Sequence, residues 1–74
     1  MDYHQRITQD PAVMLGKPII RGTRITVELI LKKLSEGMGA DELMAAYPHI
    51  TRVDIYAVLA YSAEVIGREE ILVS

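Results

Sequence analysis

Asp41-Glu42-Leu43-Met44-Ala45-Ala46-Tyr47-Pro48-His49-Ile50-Thr51-Arg52-Val53-Asp54-Ile55 reads as helix, short turn, helix. Pro48 disfavours helical geometry at Tyr47 and cannot donate inside a helix, so the first helix ends there. Thr51 starts the second. Its hydroxyl is placed to accept the Asp54 N–H, and the Asp54 carboxylate to answer back, a capping box with Asp in the usual Glu position. The first helix turns Leu43, Met44 and Tyr47 inward. The second carries Ile55, Val58, Leu59, Ser62 and Ile66 at three/four spacing, which predicts their burial. Two helices joined this way form a helix-turn-helix, whose second helix can enter a DNA major groove; plain helical bundles use the same joint.

Upstream, Arg6-Ile7-Thr8 alternates like a short strand, and Asp10-Pro11 and Gly16-Lys17-Pro18 mark turns. Pro18-Ile19-Ile20 and Arg24-Ile25-Thr26 are β-rich, and Gly22 between them suits a tight reversal. A small hairpin is expected there, within short strands spanning about residues 6–26. Such a hairpin is barely stable alone, so it must pack on the helices or pair with a second copy. Thr26 then caps a helix running to Glu36. Val27, Ile30, Leu31 and Leu34 share one face, Lys32 and Lys33 favour the last turn, and Gly37 is a left-handed cap. The expected helices are about 26–36, 41–47 and 52–66. Gly67 is expected to stop the third, leaving a tail over 67–74 whose Ile71-Leu72-Val73 could add a strand to the hairpin or to another chain.

At 74 residues the chain reads as one domain, 1–74, with a marginal core of the kind often completed by association. The absence of cysteine excludes disulfides and thiolate zinc sites. Half the residues are hydrophobic, yet no apolar run approaches the roughly eighteen residues of a membrane span, and Met1–Arg6 lacks a signal core. A cytoplasmic location is expected. The net charge of -2 is unevenly placed. Lys17, Arg21, Arg24, Lys32 and Lys33 stand against Glu28, a net of +4. From Asp41 onward, Asp41, Glu42, Asp54, Glu64, Glu69 and Glu70 stand against Arg52 and Arg68, a net of -4. Two surfaces with different partners are one explanation, and two solvated faces the other.

Catalytic chemistry finds little support. His4 and His49 have no metal-ligand spacing, Gly37-Met38-Gly39 and Gly16-Lys17-Pro18 lack the Gly-Lys-Ser/Thr of a phosphate loop, and the adjacent Asp41 and Glu42 point apart on a helix. No catalytic residue, metal or cofactor is expected.

One string is specific: Asp10-Pro11, then Gly16-Lys17-Pro18-Ile19-Ile20-Arg21-Gly22-Thr23-Arg24-Ile25-Thr26-Val27. It continues with Gly37 before Asp41-Glu42-Leu43, Tyr47-Pro48, Ile50-Thr51, Asp54-Ile55 and Ala57-Val58-Leu59-Ala60-Tyr61. Over Ile7 to Ala63 the chain resembles the bacterial family called domain of unknown function 433, proposed as VapB-like antitoxins. The resemblance implies a mainly α fold, a homeodomain-like three-helix bundle with a helix-turn-helix and a short N-terminal β-hairpin. It implies an antitoxin of a type II toxin-antitoxin system, bound to a PIN-like ribonuclease toxin from a neighbouring gene, with the pair binding its own operator DNA. Ala40 departs from the family's frequent Ser or Thr cap, and without a long extension any inserted tail is confined to Arg68–Ser74.

On the DNA reading, Arg52 and Tyr56 lie with Ala60 on the face away from Ile55 and Leu59, where they reach bases or phosphates, while Arg21, Arg24, Lys32 and Lys33 hold the backbone. Asp54 and Glu64 on the same helix weigh against it. On the alternative reading the chain is a homodimeric protein-interaction module that does not touch DNA, pairing through the hairpin. Its acidic half or its tail then clamps the toxin, through Arg68, Ile71, Leu72 and Val73.

Overall fold

The computed structural model describes the backbone of residues 1–73, with side chains through Arg68. Strands β1 (Ile7–Thr8) and β2 (Ile19–Ile20) precede helices α1 (Val27–Ser35), α2 (Ala40–Ala46) and α3 (Arg52–Val73). The architecture is mainly helical, with one two-stranded antiparallel sheet.

The helix ends follow local chemistry. Thr26 Oγ1 accepts the Leu29 N–H at 3.0 Å and opens α1. Gly37, at φ 94°, closes it: its N–H donates to Leu34 O at 3.0 Å and the Met38 N–H to Lys33 O at 3.1 Å, a Schellman motif. Gly39, rather than Ala40, caps α2, and its N–H donates to the Glu42 carboxylate at 3.3 Å. Thr51 and Asp54 form the reciprocal box at the start of α3, with Asp54 N–H to Thr51 Oγ1 at 3.2 Å and Thr51 N–H to Asp54 Oδ2 at 2.9 Å.

The sheet pairs differently from the expected hairpin. β2 pairs with β1, Ile7 opposite Ile20 and Thr8 opposite Ile19. Toward Arg24–Thr26 it keeps one bridge, Ile19 to Thr26, closed by two bonds at 2.9 Å, Ile20 N–H to Ile25 O and Val27 N–H to Pro18 O. The reversal explains this. Thr23 N–H bonds Ile20 O, and Gly22 sits third in the turn at φ 80°, as a type II turn requires. That turn splays the strands it joins, because its twist opposes theirs.

The core gathers Tyr3, Ile7, Ile20, Val27, Ile30, Leu43, Ile50, Ile55, Ala57 and Val58 from every element. A clasp fastens the N-terminal segment to α3. The Tyr3 hydroxyl donates to Glu64, and its ring meets Tyr61 edge-on at 5.3 Å between centroids. Arg6 Nε donates to Asp54 Oδ1 at 2.6 Å.

Two expectations for α3 are overturned. Asp54, Ile55, Ala57 and Val58 face the core, whereas Leu59 and Ile66 are 46% and 56% exposed. Gly67 does not stop the helix, which continues to Val73, so Ile71-Leu72-Val73 is helical rather than an added strand. Gly67 costs helical stability only modestly, and no proline or competing turn follows it.

Candidate interaction surfaces

The cations proposed for DNA are dispersed. Arg21 donates to the carbonyls of Gln5 and His4 at 3.0 and 3.1 Å, which ties the turn after β2 to the N-terminal segment. Lys33 stands 3.7 Å from Glu36, and Arg52 Nη2 lies 2.6 Å from Asp41 Oδ1, bridging α3 to α2. Lys17 is held by Glu28 at 2.8 Å, which lowers the Glu28 carboxyl below its ordinary value. Arg24 and Lys32 are exposed and pair with no acid among the described residues. Tyr56 is half exposed on α3.

The outward side of α3 is the more unusual surface. Val53, Tyr56, Leu59 and Ile66 are 46–56% exposed, Ala63 is exposed and Ala60 partly so. Because the opposite side fills the core, α3 is apolar nearly all round. Helices of that kind are ordinarily covered on all sides. An exposed apolar stripe of this length marks an interaction site more often than a bare surface.

Beside it, α1 and α3 enclose an apolar groove of about 320 Å³, floored by Val27, Leu31, Tyr61 and Val65. The Lys17–Glu28 pair forms part of its rim. Two residues before Lys17 the backbone takes a left-handed course through Met14 (φ 50°), Leu15 (φ 59°) and Gly16 (φ 79°). Side chains rarely adopt this conformation, and here it holds Leu15 93% exposed.

Arg68 Nη2 bonds Glu64 Oε1 at 3.0 Å one helical turn away. Tyr3 and Arg68 together hold the Glu64 carboxyl below its ordinary value. The side chains of Ile71, Leu72 and Val73 lie outside the described residues. Sequence reasoning missed Leu15 entirely and read Leu59 and Ile66 as core; the signal for the latter two was apolar residues on every face of residues 53–66. Among the described residues no His, Asp and Glu cluster could hold a metal ion, and no helix is long and apolar enough to cross a membrane.

Comparison with known proteins gives a consistent picture. The family described as "Protein of unknown function (DUF433)" matches residues 7–62. The fold is similar to the crystal structure of a DUF433 member protein from Anabaena variabilis. That match has 35% identity and a TM-score of 0.76, and covers 89% of this chain and 68% of that one. No curated protein matches.

Proposed function

The chain belongs to the DUF433 family, and from its resemblance to members proposed as VapB-like antitoxins we propose that it is the protein-binding member of a toxin-antitoxin pair. It docks on a PIN-like ribonuclease through the outward face of α3. The observation that carries this reading is that face itself: Val53, Tyr56, Leu59 and Ile66 stand exposed on a helix whose other side fills the core. Aromatic and aliphatic side chains on a rigid helix are what a partner's hydrophobic groove takes up. The tail assigned to toxin binding becomes the last turns of this helix, so clasping by a loose strand gives way to docking by a helix. The Arg68 guanidinium is engaged by Glu64 and must leave it to meet an acidic ribonuclease site.

The test is co-purification with the neighbouring PIN-like protein and assay of its ribonuclease activity. Tyr56→Lys and Leu59→Lys should each abolish inhibition while circular dichroism and melting stay unchanged. Full inhibition by both variants would sink the reading.

Operator binding is the second reading. It is favoured by the capped joint between α2 and α3 and by the two cations, Arg24 and Lys32, without acid partners among the described residues. Against it, Arg52 is held by Asp41 and the proposed reading face is largely apolar. Fluorescence anisotropy on upstream and scrambled DNA across a salt series decides it. Arg24→Ala with Lys32→Ala should flatten the salt slope by about two if both touch phosphate. Equal, weak binding to both DNAs would remove this reading.

A further inference from the structure

The turn after β2 carries two arginines whose charge no carboxylate offsets. Arg21 gives Nε and Nη2 to the carbonyls of Gln5 and His4 at 3.0 and 3.1 Å, which fixes the guanidinium without neutralising it. Arg24 is exposed and pairs with no acid among the described residues. Both line one recess of about 540 Å³, whose apolar side is Val13 and Ile19. We infer that this recess is a phosphate site, taking the terminal phosphate of a nucleotide-sized monoester.

The turn adds backbone donors to the two side chains. Arg21 N–H is spent on Arg6 O, Thr23 N–H on Ile20 O, and Ile25 N–H on Thr23 Oγ1. The N–H groups of Gly22 and Arg24 have no acceptor among the described residues, and both residues line the recess. Free turn amides beside guanidinium forks are donors that phosphate oxygens take up. Beyond its chain neighbours, no heavy atom lies within 4 Å of the space a Cβ would fill at Gly22, so a ligand can approach the backbone closely there.

Size and charge decide the class of ligand. Small-ligand pockets run from about 300 to about 1,000 Å³, and this recess holds more than a bare phosphate. Val13 and Ile19 offer the rest of the ligand an apolar wall. A terminal phosphate carries a charge of about -1.5 to -2 at neutral pH, which two guanidiniums match; a backbone phosphodiester carries only one. One group opposes. Asp10 also lines the recess, its Oδ1 accepting the Ala12 N–H at 2.9 Å. The two arginines outnumber it, and its opposition makes a second test. Lys32, which the operator reading shares with Arg24, is not part of this recess.

The test is an amide NMR titration of the full chain with adenosine monophosphate from about 0.1 to about 20 mM, the range of weak sites, at constant ionic strength. The Gly22 and Arg24 amide signals should move and saturate. Adenosine, which lacks the phosphate, should leave them in place. Arg24→Ala should weaken binding about tenfold, as loss of a charged hydrogen bond does. Asp10→Asn should strengthen it severalfold, because a like charge leaves while the amide oxygen still accepts the Ala12 N–H. Both residues are exposed, so neither change disturbs the core. Lys32→Ala should leave this affinity unchanged, which separates the site from the operator reading. Signals that never saturate, that move equally with adenosine, or that move with a DNA duplex and not with adenosine monophosphate would overturn the inference. So would weaker binding in Asp10→Asn.

Discussion

Arg6 Nε lies 2.6 Å from a carboxylate oxygen of Asp54, a side chain only 2% exposed. The pair joins the residue before β1 to the first turn of α3. Arg6 Nη2 also donates to Thr51 Oγ1 at 3.3 Å, so strand, cap and helix share one polar network. Removing the cation leaves the carboxylate buried, whereas removing the carboxylate leaves an arginine already 40% exposed and free to rehydrate. Arg6→Ala should therefore destabilise the fold. Asp54→Asn should cost less. Urea unfolding of both variants at neutral pH checks the order.

The same pair predicts an acid dependence. Burial raises the Asp54 carboxyl, but the Arg6 bond, the Thr51 bonds and the Arg6 charge outweigh it and hold the group below its ordinary 3.8. The unfolded carboxyl, at about 3.9, thus binds its proton at a higher pH than the folded one. The stabilisation is complete above the unfolded value and is lost as pH falls toward the folded value. Glu64 acts in the same direction. Urea midpoints should hold steady from pH 7 to 5 and drop below about pH 4. In Arg6→Ala only burial and the Thr51 bonds remain, so its deficit against wild type should shrink as pH falls through that range.

Leu15→Gly should stabilise the monomer by about 1 kcal/mol, because glycine takes up φ 59° without a Cβ clash. Few core or surface changes move in this direction. Thermal melting checks it.

Thr26→Ala should cost about 1 kcal/mol by leaving the Leu29 N–H without its cap. Leu59→Lys should change stability by less than about 0.5 kcal/mol, since the side chain is 46% exposed. The contrast separates a residue the fold uses from one it presents. Chemical denaturation of the two variants side by side measures it.

The parts of this fold legible in the sequence are those decided within one turn of chain. The Thr51–Asp54 box, the Thr26 cap and the Gly37 termination each depend on residues three or four positions apart, and each is present. What was not legible depends on distant partners. β2 bridges its neighbour only at Ile19–Thr26 and takes its longer pairing with β1, and Arg6 found Asp54 across the core. The phase of α3 was misread for another reason. With apolar residues on every face, three/four spacing fits several stripes, and a buried aspartate, not a leucine, marks the true one. The surfaces suffered most: the exposure of Leu15 is legible only once its left-handed backbone is known.

The clasp between the N-terminal segment and α3 spans 48 positions at Arg6–Asp54 and 61 at Tyr3–Glu64. During synthesis, therefore, Tyr3 and Arg6 wait for Glu64 and Asp54. The buried cluster that joins Ile7 and Ile20 to Ile55 and Val58 is complete only after α3 has been translated. A ribosome that stalls before Asp54 leaves a chain with its strands open and its apolar residues in water, a ready substrate for proteases.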